Sequence, residues 1–201
     1  MKMQYAYDKD EKKIELSIKL EIENKPFHEL GNFLVDMNVV LSFCDFIESS
    51  RPIPRTLLPM WSNMYRMNRA SRLLTSGTKC RIRKISEGSI VIVIGGIGAL
   101  AAIVVPLITY YMQKRDIERS QMITFNLELS NESDVSYIRK TIDDLKPYNN
   151  FNEENMKLLI NRLNANGYQI KCVGNDIFAI SKVLNNYIGH ISNTVHRISM
   201  Y

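Results

Sequence analysis

The clearest chemical pattern in the chain is Gly96-Ile97-Gly98-Ala99-Leu100-Ala101, placed directly after the β-branched run Ile90–Ile94. Glycines behind a strand let the backbone approach a phosphate, and the N–H groups opening a helix attract an anion. The histidines offer less. His190 and His196 stand six apart, on different helix faces and away from the i, i+4 spacing that holds zinc. His28 has no partner nearby in sequence and suits a surface or capping role. Cys44, Cys80 and Cys172 are widely spaced and odd in number, so neither a metal ligand set nor a disulfide framework is expected. Asp143 and Asp144 read as a solvated helix face. No catalytic set emerges, and the expectation is a non-enzymatic protein without metal or cofactor.

The glycine pattern resembles the opening of dinucleotide-binding (Rossmann) domains, which implies, as an alternative, a soluble dinucleotide-binding protein. The chain departs from that family at Pro106, inside the following helix, and at Glu128, which lies 32 residues beyond Gly96 rather than ~20.

The same residues sit inside a longer uncharged interval, Gly88 to Gln113. Ile90 to Met112 would make ~35 Å of helix, against the ~30 Å of a bilayer's hydrocarbon core. No polar face recurs at a helical period, Tyr110 and Tyr111 would mark one interface, and Lys114 and Arg115 would stop the span. The leading expectation is therefore a transmembrane helix. A third reading makes Ile90 to Ile94 a buried strand running on from Lys79 to Ile85, with a helix starting near Gly98. Gly95, Gly98, Ala99 and Ala102 would form a small-residue ridge through which spanning helices self-associate.

Around this interval the basic charge is concentrated. Ser49 to Ser86 holds nine Lys/Arg and no acidic residue, and this stretch accounts for the formal net charge of +5. Trp61, Tyr65, Arg66, Arg69 and Arg72 belong to a helix expected over Pro59 to Leu74. With Arg81, Arg83, Lys84, Tyr110 and Tyr111 they are candidate membrane-surface residues facing anionic lipid. The basic excess before the span weakly places the N-terminal domain in the cytoplasm. Met1 to Lys13 has no apolar core of a signal peptide.

The flanks have readable periods. Ile14, Leu16, Ile18, Leu20 and Ile22 alternate as a half-buried strand, and His28 to Ile47 follows as a helix. Met122 to Leu129 is a second alternating strand. Helices are expected over Asp134 to Lys146 and from Glu153, capped by Asn152, to Gly167. Tyr168 to Val173 and Ile177 to Ser181, flanking Gly174-Asn175-Asp176, read as a hairpin, and Val183 to Ser199 as a final helix. Helix, helix, hairpin over Asp134 to Ser181 resembles a winged-helix module, but residues 120–201 balance eight basic with eight acidic side chains. A DNA reader needs net positive charge, so nucleic acid is an unlikely partner. Asn185 and His190 are similar in spacing to the paired arginine and histidine of HEPN ribonucleases, with asparagine in the arginine's place.

These readings give a fold class of α+β, with a single transmembrane helix (89–113) between two small mixed α/β soluble domains (1–88 and 114–201). The expected function is a membrane-anchored, self-associating protein whose soluble domains bind an unknown protein partner. The alternative from another class is a membrane-permeabilising, pore-forming effector of the bacterial antiviral defence type.

Overall fold

Strict alternation of isoleucine and leucine with polar residues makes Ile14–Glu21 a strand, β1, whose Ile14, Leu16, Ile18 and Leu20 are all buried. The computed structural model describes residues 14–21, 27–48, 79–86, 89–115, 123–129, 132–168, 170 and 174–199. After β1 come helix α1 (Phe27–Glu48), β2 (Lys79–Ser86), β3 (Ser89–Ile97) and α2 (Ala99–Arg115). The chain continues with β4 (Ile123–Leu129), α3 (Glu132–Leu145), α4 (Glu153–Ala165) and α5 (Gly174–Ser199). Helices account for most of the described residues.

The strands form one sheet in the order β2-β3-β1-β4. Every pairing is antiparallel. Leu16, Ile18 and Leu20 lie opposite Ile94, Ile92 and Ile90 on one side and Leu127, Phe125 and Ile123 on the other. Apolar residues are thus in register across three strands, and a one-residue slip would move each set to the wrong face.

Helix α2 packs against α1, α3, α5 and the strands β1 and β4. Leu100 to Val105, Leu107, Ile108, Tyr111 and Met112 are all buried within the chain. A helix apolar all round must be surrounded, and here protein surrounds it.

This arrangement overturns the expected fold class. Ile90 to Ile94 is hydrogen-bonded inside a sheet, so the uncharged interval divides between a strand and a helix of 17 residues. At ~1.5 Å per residue that helix reaches ~25 Å, short of the ~30 Å hydrocarbon core. Among the described residues no helix is long and apolar enough to cross a membrane. The expected single-pass membrane localisation is withdrawn, and the pore-forming reading, which needs the span, falls with it. Nor does the interval separate two soluble domains, because β1 from before it pairs with β4 from after it.

The hairpin expected around Gly174-Asn175-Asp176 is also absent. These residues open α5, and Ile177 to Ser181 is helical. Ile177, Ile180, Leu184, Tyr187, Ile188 and Ile191 are buried at helical spacing, and that longer period outweighs the turn signal. Without the hairpin, the winged-helix likeness lapses. The expected helix over Pro59 to Leu74 lies outside the described residues.

Candidate functional site

Among the described residues, three places bring polar groups together. The first is the turn from β3 into α2, where the glycine pattern falls. Gly98 precedes the helix, and Ala102 N–H donates to the Gly98 carbonyl to form the first helical bond. Glu48, the last residue of α1, accepts a hydrogen bond from the Leu100 N–H through its carboxylate. A Cβ on Gly98 would overlap that carboxylate. With glycine at this position the chain's own acid can sit where a bound phosphate would lie in a nucleotide cradle. An internal carboxylate at the positive end of a helix stabilises it by the same electrostatics. The surrounding sheet differs from a dinucleotide fold as well, since parallel strands carry that site and β3 has antiparallel neighbours on both sides.

The second place is the seam between α1 and α5. Asp36 is 3% exposed, and Thr194, also buried, donates its hydroxyl to Asp36 Oδ2 at 3.1 Å. Arg197 Nη2 donates to the same hydroxyl at 3.2 Å. Burial pushes the Asp36 carboxyl above the usual carboxylate range, opposed by the Thr194 bond and by the charges of His190 and Arg197. Tyr187, buried beside them with its ring 6.4 Å from that of His190, is pushed up by burial and by Asp36. No sequence period marks Asp36, which sits in an apolar helix face. The signal for it was a lone acid between Leu34 and Met37, where a core-facing stripe should be apolar throughout.

The third is strand β2, at the edge of the sheet. It pairs only with β3 among the described strands, and its sequence, Lys-Cys-Arg-Ile-Arg-Lys-Ile-Ser, carries Lys79, Arg81, Arg83 and Lys84. Arg81 lies opposite Val93, and Lys84 opposite Val91 with a bulge between Ile82 and Lys84.

Asparagines among the described residues tie the fold together. Asn185 clamps both backbone groups of Phe151, accepting from its N–H at 3.0 Å and donating to its carbonyl. That role accounts for Asn185 without His190. Asn164 holds Ile170 in the same two-way manner, at 2.7 and 3.2 Å. Asn152 caps α4 with a reciprocal pair to Asn155, both bonds 2.9 Å.

The residues singled out in the sequence are scattered over these places. Ala99 and Ala102 are buried in the chain's own core, so their side of the proposed ridge packs inward. Gly95 lies within β3, opposite Glu15 and Lys79. Tyr111 is fully buried, donates to the Leu145 carbonyl at 2.7 Å and meets the Phe151 ring edge-on. Tyr110 is half-buried under the Lys146 ammonium. Tyr111 thus belongs to the core rather than to a surface. Trp61, Tyr65, Arg66, Arg69 and Arg72 lie outside the described residues, while Arg81, Arg83 and Lys84 share β2. His28 is exposed in the first turn of α1. Comparison with protein-family models, curated proteins and solved structures finds no match, which leaves the antiviral expectation without a relative behind it.

Proposed function

We propose that this chain is a non-enzymatic partner-binding module that accepts an extended, acidic segment of another protein along β2. The observation that carries the reading is an eight-residue strand at the sheet edge with four basic residues. An edge strand offers unpaired N–H and C=O groups, and an added strand gains affinity from the backbone and selectivity from its side chains. Acidic residues placed at the register positions opposite Lys79, Arg81 and Lys84 would set opposite charge against the basic strand. Cross-strand pairs of opposite sign stabilise, whereas like charges facing one another destabilise. The same rule disfavours a symmetric dimer through this edge, because β2 against β2 sets basic strand against basic strand.

The test is fluorescence anisotropy of the whole chain with a labelled peptide of alternating glutamate and valine. Binding is expected, weakening with added salt, and about tenfold weaker in the Arg81→Glu/Lys84→Glu variant, equivalent to about 1.4 kcal/mol. An otherwise identical peptide, N-methylated at alternate residues, should not bind, since it cannot complete the ladder. Equal binding of the methylated peptide or of a lysine-valine control would contradict the proposal. So would a preference for duplex DNA or RNA, or a dimer that the charge reversal abolishes.

A further inference from the structure

We propose that the α1–α5 seam is a proton-sensitive latch, which tightens when Asp36 takes up a proton and loosens when its carboxyl ionises. The geometry that carries this is a carboxyl almost sealed from water with weak compensation. Its hydrogen bond among the described residues comes from the neutral Thr194 hydroxyl, and no salt bridge among them reaches it. An ionised carboxylate has about four acceptor sites and demands donors for them. A buried charge so thinly supported is unfavourable, and a protonated carboxyl relieves it.

The surroundings are specific. From α5, Asp36 is faced by Tyr187, His190, Thr194 and Arg197. Of these, His190 and Arg197 favour the ionised form, but Arg197 is exposed and spends a hydrogen bond on Thr194. The other helix packed against α1 is α2, whose ionisable residues, Tyr110, Tyr111, Lys114 and Arg115, all belong to its last two turns. On α1 itself, His28, Asp45 and Glu48 all stand more than two turns from Asp36, and the two acids bear on Cys44. Since α1 ends in Glu48, which holds the start of α2, loosening at the seam bears on the helix layer that supports the sheet.

The sign follows from the direction of the shift. A carboxyl whose folded-state value lies above its unfolded value favours folding fully below the unfolded value. That contribution is lost as pH rises through the folded value. Asp36→Asn keeps an acceptor for Thr194 and removes the charge. The variant should melt about 3 °C above the parent chain near pH 8, with the gap closing as pH falls into the ordinary carboxylate range, about 4. Hydrogen exchange of the amides of residues 187–197, taken as the ratio of parent to variant at each pH, should be higher at the alkaline end. Thr194→Val provides a second reading, since it removes the hydroxyl that donates to Asp36. Its destabilisation should grow with rising pH. A parent-to-variant gap that stays constant from about pH 8 to about pH 4, or a Thr194→Val loss equal at both ends, would overturn the latch.

Discussion

Replacing Ile103 with alanine is expected to lower the stability of the chain by about 3 kcal/mol, read as a shift in the urea midpoint at unchanged slope. Ile103 lies in the middle of α2 and is fully buried, with the helix enclosed by α1, α3, α5 and two strands. Removing its outer carbons forfeits their transfer out of water and leaves a cavity that the neighbours cannot fill. Ala102→Leu tests the same packing from the other direction. Its position has no exposure, so three added carbons overfill the site and should destabilise by about 2 kcal/mol. A helix surrounded by lipid would tolerate both changes, because acyl chains rearrange around a side chain of any size. Midpoints within about 0.5 kcal/mol of the parent would therefore argue against the buried α2.

The second large effect is non-additivity between Gly98 and Glu48. Gly98→Ala introduces a Cβ into the space of the Glu48 carboxylate, so that side chain must swing away from the Leu100 N–H. A charge-assisted hydrogen bond at a helix N-terminus is lost, and the expected destabilisation is about 2 kcal/mol. Glu48→Ala loses the same bond and should fall by a similar amount. In the double variant the carboxylate that the methyl would meet is gone, so the two losses should not sum. A coupling of about 1.5 kcal/mol or more in the cycle is expected from denaturant titration. Simple addition would show that the carboxylate does not occupy the turn. The acidic group also bears on nucleotide binding. While Glu48 holds these amides, a phosphate would have to displace a tethered anion, so no thermal shift is expected on adding NAD to the parent chain.

Much of the framework was legible in the sequence because it rests on local periods. Alternation marked β1 and β4, helical spacing marked α1, and Asn152 ahead of two glutamates marked the start of α4. For the uncharged interval the third reading, a strand and then a helix starting near Gly98, was the one borne out, and the leading one failed for a physical reason. Composition reports that a helix is surrounded by apolar groups, without reporting whether lipid or protein supplies them. Two observations pointed the other way: the β-branched run at Ile90 to Ile94, and the glycines that end it before a 17-residue helix. The glycine pattern was seen correctly as a close approach at a helix start, but the group approaching comes from Glu48, 50 positions earlier, beyond any local pattern. Asp36 is the same kind of case, because its partner Thr194 lies 158 residues away. The misplaced hairpin has a different origin. Gly174-Asn175-Asp176 suits a helix start as well as a turn, and only the longer period of α5 decides between them.

The central claim is that β3 joins a single sheet in which β1 and β4, from either side of the uncharged interval, lie side by side. Ser17 is opposite Asn126 in that sheet. Directly opposed strand residues have Cα atoms about 4.5–5.5 Å apart, within the range a disulfide can bridge. The decisive measurement is mass-spectrometric mapping of disulfides in the Ser17→Cys/Asn126→Cys chain after mild oxidation. An intramolecular bridge between residues 17 and 126 at high yield, in a chain that stays monomeric and folded, is the result this structure requires. If instead the two thiols remain unjoined in the folded chain, each reactive toward reagents from a different side of a bilayer, β1 and β4 are not neighbours and the sheet is wrong.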